Sequence, residues 1–196
     1  RTFSSAASDV YKRQGMRKWI GYYQNIISND LCDKLIDYSD NQKPLQPSTY
    51  STSSGKSDRS NERVKMDDGW FRNGEKYYND IKNCFMTVIK KYREKHADFV
   101  CQRHTDFRLK KYSEGGFMSR HVDNIHHSHG QEYGYPQASA LLFLNDDYKG
   151  GQFHISGLRY ETKKGSAIIF PSNFMFPHEV NRIEKGTRYS IVTWLM

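Results

Sequence analysis

After residue 100 the chain is broken every few residues by Gly, Asn, Asp or Pro, and the pieces between the breaks are too short for helices. Branched and aromatic residues fill these pieces, at about 105–112, 117–122, 138–145, 151–155, 158–161, 166–170, 176–181 and 187–195. No helical period intervenes. Successive short strands without crossover helices pair antiparallel and close on themselves, which predicts a jelly-roll or cupin-like barrel.

The first half reads differently. Ser28 is a good N-cap, and Leu31, Leu35 and Ile36 follow at helical spacing, which predicts a short helix over 29–40, ended before Pro44 and Pro47. From Gly74 to His96, Tyr77, Ile81, Phe85, Val88, Ile89 and Tyr92 form one apolar face, suited to packing on the outside of a sheet. Between the two helices, residues 43–69 are polar, without a clear period, and are expected to form a functional loop with a strand or hairpin within it. The expected class is mainly β with flanking helices. A single domain over 16–196 has helical support and substrate loops in 16–100 and the β core in 101–196.

The chemistry-bearing residues fall at predicted strand ends. His121 and Asp123 are two apart, a spacing that puts both side chains on one face of a strand. His178 returns much later, on another strand. Two imidazoles and one carboxylate are the ligand set of the facial triad that holds Fe(II) and leaves open positions for other ligands. Arg188 and Ser190 follow, sharing a face of the last strand. A buried arginine there can take a dicarboxylate such as 2-oxoglutarate through two parallel charge-assisted hydrogen bonds. His126, His127 and His129 lie in the polar stretch 124–137, which reads as a lid beside the site rather than as a second metal centre; Tyr133 and Tyr135 belong to the same stretch.

Composition bounds the remaining classes. The chain has 196 residues, 36% of them hydrophobic, with 14 Tyr and 11 Phe, enough for one aromatic-rich core under a polar surface. The formal net charge is +8. No long Lys/Arg cluster or nucleic-acid motif accompanies it, so a solvated basic surface is expected and a nucleic-acid partner is not. Cys32, Cys84 and Cys101 have no metal-type spacing and are odd in number, which fits reduced thiols. No apolar run has the length of a membrane span and no secretory signal is visible, so the expected location is cytoplasmic, with no membrane partner. Residues 8–14, Ser-Asp-Val-Tyr-Lys-Arg-Gln, resemble a translated sequencing adapter of metagenomic reading frames. Residues 1–15 are therefore expected to be a non-native or disordered leader, with Met16 as the natural start.

Residues from about 104 to 196 resemble the prolyl 4-hydroxylase branch of the 2-oxoglutarate/Fe(II) dioxygenases. The resemblance is carried by Tyr112, Gly115-Gly116, Arg120-His121-Val122-Asp123-Asn124, Leu142-Phe143-Leu144-Asn145 and Gly150-Gly151. It continues through Gly165, Ile169-Phe170-Pro171, Pro177-His178-Glu179-Val180, Gly186-Thr187-Arg188-Tyr189-Ser190-Ile191 and Trp194. Arg-His-Val-Asp-Asn, Pro-His-Glu-Val and Thr-Arg-Tyr are most similar to the hypoxia-inducible-factor prolyl hydroxylases, and small viral and bacterial prolyl hydroxylases are similar too.

The resemblance implies a double-stranded β-helix, Fe(II) held by His121, Asp123 and His178, and 2-oxoglutarate and O2 as co-substrates, with ascorbate as an accompanying reductant. It implies that Arg188 pairs with the distal carboxylate, that Tyr112 lies near the co-substrate, and that Trp194 packs on a substrate proline. Met118 and Arg120 are further candidate substrate contacts. Two departures stand out. Phe143 replaces a tyrosine whose hydroxyl would reach the co-substrate, a role open to Ser190, and Met118 replaces a tyrosine beside the substrate. The implied activity is prolyl 4-hydroxylation of a peptide or protein. A free amino acid or small-molecule hydroxylase, or a nucleic-acid oxygenase, would share the same chemistry. A non-catalytic module on this fold would not need the complete ligand set.

Overall fold

A computed structural model of the chain describes residues 15–51, 57–58, 62–124 and 134–196. The first half comprises β1 (Gly21–Tyr23), α1 (Asn29–Asn41), β2 (Gln46–Pro47), β3 (Tyr50–Ser51), β4 (Ser57–Asp58), β5 (Val64–Lys65), β6 (Asp67–Phe71) and α2 (Tyr78–Lys95). There follow β7 (Phe107–Tyr112), β8 (Phe117–His121), β9 (Ala138–Phe143), β10 (Lys149–Gly150), β11 (Phe153–Ile155) and β12 (Leu158–Tyr160). The chain ends with β13 (Ala167–Pro171), β14 (His178–Val180), β15 (Ile183–Lys185) and β16 (Arg188–Leu195). Each predicted run after residue 100 contains a strand. The short β10–β15 pair was not anticipated.

The strands form two principal antiparallel sheets. The larger has the order β1-β13-β9-β16-β7-β6-β2 and the smaller β12-β11-β14-β8-β5. Apolar side chains of both sheets, including Tyr112, Phe143, Phe153, Ile168, Phe170, Val192 and Trp194, pack into one interior cluster. A second cluster covers the other face of the large sheet, where Ile81, Phe85, Val88 and Ile89 of α2 meet Phe107, Leu109, Leu142, Ile169 and Ile191. The double-stranded β-helix is thus backed by helices on its large sheet. Burial on both faces explains why β9 and β16 are buried along their whole length instead of alternating.

The helices follow from local chemistry. The Ser28 side chain accepts a hydrogen bond from Leu31 N at 3.2 Å and caps α1. α2 begins at Tyr78 and not earlier, because Tyr77 has a left-handed backbone with φ 67°. The polar segment 43–69 contributes the sheet strand β6 at its end, paired with β7 from Asp67↔Lys111 to Phe71↔Phe107. Its Asp-Asp-Gly start hides the alternation that would have marked it. β1, pairing Gly21↔Ile169, was likewise not anticipated. The expected leader lies outside the described residues except for Gly15.

Candidate active site

The two sheets place the metal-type ligands at adjoining strand ends. His178 at the start of β14 lies opposite His121 at the end of β8. The register shifts between that pair and Val180↔Met118, so three steps along β8 match two along β14. The irregularity lets Met118 join the interior cluster although it is an odd number of residues from His121. Asp123 lies beyond β8, past the strand end, so simple strand alternation is not what aligns it with His121.

The ligand atoms of His121, Asp123 and His178 all lie within 4.8 Å of one another. His121 Nδ1 donates to the Ser119 carbonyl at 2.8 Å, and His178 Nδ1 donates to the Phe176 carbonyl at 3.2 Å. Because a carbonyl only accepts, each Nδ1 carries a proton, which leaves Nε2 as the ring atom that can turn a lone pair to a metal. Those Nε2 atoms stand 3.5 Å and 3.3 Å from the two Asp123 oxygens. Ser139 Oγ donates to Asp123 Oδ2 at 2.6 Å and is itself 2.8 Å from Ser172 Oγ.

Burial pushes the Asp123 carboxyl up, but the two imidazoles outweigh it and hold it well below the usual carboxylate range. Burial, reinforced by His178, pushes the His121 imidazole down. The set offers lone pairs and one negative charge, converging on one point. Its donor chemistry fits a divalent first-row metal.

Arg188 opens β16 opposite Tyr112 and is 1% exposed. Its guanidinium carbon lies 5.2 Å from the Tyr112 ring centre and 5.5 Å from that of Phe143. Nη1 donates to Ser190 Oγ at 3.2 Å, whereas Nε and Nη2 are buried without a partner among the described residues. A buried cation with free N–H groups is costly unless an acceptor arrives, and a carboxylate matches the guanidinium fork. Gly151 makes room here. With φ +62°, its added Cβ would collide with Ile183 Cδ1 and sit 3.4 Å from Arg188 Cδ.

Of the other candidates, Trp194 is buried, its ring 6.1 Å from that of Trp70. Met118 is half-buried inside, and Arg120 is exposed on β8. Residues 125–133, with His126, His127, His129 and Tyr133, lie outside the described residues; Tyr135 is exposed.

Sequence reasoning missed three participants. Ser139 is the polar residue in the otherwise apolar β9 and shares the parity of Leu141 and Phe143, which would have marked it. Ser172 becomes visible only through the β9–β13 pairing. Lys110 shares the parity of Tyr112 and is 6% exposed, with Nζ 5.8 Å above the Trp194 ring. Burial pushes its ammonium down to about 8 against the pull of Asp123.

Residues 107–196 match the model of the 2OG-Fe(II) oxygenase superfamily. His121, Asp123, His178 and Arg188 all lie inside that span. This part of the chain is similar to the 2OG-Fe(II) oxygenase superfamily. A PKHD-type hydroxylase of Picosynechococcus is 35% identical over 91 residues, 43% of this chain and 39% of that protein. Human prolyl 3-hydroxylase 2 is 35% identical over 69 residues, 32% of this chain and 10% of that protein. The chain therefore spans well under half the length of either. In fold, the chain resembles a Trichoplax adhaerens prolyl hydroxylase, solved with a hypoxia-inducible-factor peptide fragment. The TM-score is 0.71 at 16% identity, covering 100% of this chain and 94% of that one. No described helix is long and apolar enough to cross a membrane.

Proposed function

We propose that this oxygenase domain hydroxylates an unactivated C–H bond, that of a prolyl residue in a peptide or protein, using Fe(II), 2-oxoglutarate and O2. The observation that carries the reading is the convergence of His121, Asp123 and His178 in one barrel with Arg188, a buried cation whose Nε and Nη2 lack an acceptor among the described residues. Bound together, the metal and co-substrate supply the oxidative chemistry, in which 2-oxoglutarate and O2 become succinate and CO2 while the substrate gains one oxygen.

The protein's part is geometry. The backbone carbonyls of Ser119 and Phe176 fix the imidazole tautomers. Ser139 orients the Asp123 carboxylate. Arg188 takes the distal carboxylate, with Tyr112 and Ser190 as its neighbours, and the aromatic interior excludes water from the reacting groups. Trp194 and Met118 form the inner wall toward substrate, and Arg120 lies at the rim. Resemblance to the hypoxia-factor enzymes favours oxidation at C4. The prolyl 3-hydroxylase relative makes the position of the new hydroxyl a quantity to measure.

The test is succinate release by Fe(II)-loaded protein, with ascorbate present, over a panel of proline peptides, free amino acids and oligonucleotides. Mass spectrometry then locates one added oxygen. The expected product is a hydroxylated proline peptide, with succinate formation abolished in Asp123→Ala. Undiminished decarboxylation in metal-supplemented Asp123→Ala would remove the iron assignment. An oxygen found only on a nucleic acid or a free amino acid would keep the chemistry and replace the substrate.

A further inference from the structure

We propose that Lys110 is a second carboxylate-binding residue of this site and that the carboxylate it takes belongs to the substrate. The inference rests on the oxygenase chemistry proposed above, not on its peptide context, and adds a carboxylate to the substrate.

Lys110 lies on β7 between Arg108 and Tyr112, on the face turned to the barrel interior, and pairs with Ser190. Its side chain runs along that interior to the face of Trp194. Among the described residues it makes no hydrogen bond or ion pair, and the indole face is its partner. The neighbouring cations are provided for differently. Arg108 is ion-paired with Asp68 and donates to Ser48. Arg188 faces the co-substrate's place. The charged groups that act on the Lys110 ammonium are Asp123, Arg108, Arg188 and Asp68. Asp68 is committed to Arg108, and Asp123 to the metal triad.

A charge balance then points to the missing partner. Fe(II) and Arg188 together would be matched by Asp123 and the two carboxylates of 2-oxoglutarate, with the two histidines counted as neutral metal ligands. Lys110 is the cation left over. Lys110 is 6% exposed, and an ammonium whose one partner among the described residues is an indole face is poorly compensated, because cation–π attraction recovers a fraction of the lost hydration. An anion brought by the substrate completes the balance. The substrate class is therefore a carboxylic acid whose carboxylate lies a few bonds from the oxidised carbon, either a free amino acid or a peptide with its terminus or an acidic side chain next to the target residue.

The experiment uses the protein loaded with Mn(II), which binds without turnover, and measures affinity by calorimetry. The co-substrate probes are 2-oxoglutarate and 4-oxopentanoate, which keeps the distal carboxylate and keto group but lacks the carboxylate beside the keto group. The substrate probes, added with 2-oxoglutarate, are matched acid and amide pairs: L-proline with L-prolinamide, and Gly-Pro-Glu with Gly-Pro-Gln, both C-terminally amidated. At least one acid is expected to bind about tenfold tighter than its amide. In Lys110→Met that advantage disappears, and Lys110→Arg restores part of it, while affinities for both oxo acids change less than about twofold, which also shows that the variant is folded. Weakened 2-oxoglutarate with unchanged 4-oxopentanoate in Lys110→Met would place the carboxylate on the co-substrate and overturn the assignment to substrate. Acid and amide binding alike in every pair, weak binding of both included, or an advantage that survives Lys110→Met, overturns the proposal. Wild-type protein that binds no 2-oxoglutarate would sink the oxygenase reading itself, and this inference with it.

Discussion

At the scale of single residues, the site is a set of polar atoms whose partners are only partly supplied by the protein. Arg188 is the sharpest case, buried with Nε and Nη2 unsatisfied among the described residues. Arg188→Ala should leave the distal carboxylate of 2-oxoglutarate unpaired, a loss on the order of 2–5 kcal/mol. Titration should show at least about a tenfold weaker 2-oxoglutarate affinity with metal binding retained. An unchanged affinity would place the carboxylate elsewhere. Ser139 acts one step away from the metal. Its hydroxyl holds Asp123 Oδ2, so Ser139→Ala should weaken Fe(II) or Mn(II) affinity about 10–100-fold, whereas Ser139→Thr should retain more. Equal affinity in Ser139→Ala would make the 2.6 Å hydrogen bond incidental to metal binding. Phe143 stands where the resemblance implied a tyrosine. The nearby hydroxyl is Ser190, which already accepts from Arg188.

At the scale of elements, most of the architecture answers to pattern. The apolar face of α2 lands on the outer face of the large sheet, as its spacing predicts, with Phe85 stacked on Phe107 at 5.3 Å between ring centres. Phe85→Ala should cost about 3–5 kcal/mol of unfolding free energy, read as a lowered denaturation midpoint in urea. A loss below about 1 kcal/mol would mean that the helix is not a required layer of the core. Besides β1 and the β10–β15 pair, two features departed from the reading of the sequence. β6 was hidden because Asp67, Asp68 and Gly69 mask a two-residue period, and its identity as a strand comes from its pairing with β7. The β8–β14 irregularity was not legible at all, since a register shift belongs to a pair of strands.

At the scale of the whole molecule, two sheets enclose the site and one carries the helices, leaving the polar segments to define access. Residues 43–69 and 124–137 are predicted to flank the substrate groove, from their polarity and lack of period. Adding a productive proline peptide to protein loaded with metal and 2-oxoglutarate should slow hydrogen exchange in both segments. Protection gained on another surface while neither segment changes would relocate the groove. Ion pairs such as Lys34–Asp30 and Lys164–Asp33 lie at the surface. The cations that matter to the chemistry are the buried ones.

Strand-length runs separated by turn residues were enough to predict a β barrel, because turn chemistry and side-chain period are local properties. The order His121, Asp123, His178, Arg188 was enough to nominate a metal and a dicarboxylate, because those residue types have few other reasons to recur at strand ends in this family-like order. What the tertiary structure alone decided is which polar groups lack partners. Lys110 and Lys111 are indistinguishable in composition. Yet Lys111 reaches the Asp40 carboxylate at the surface, and Lys110 is shut inside against Trp194. Burial and the supply of counter-charges depend on strands brought together from distant parts of the chain, so no window of sequence contains them.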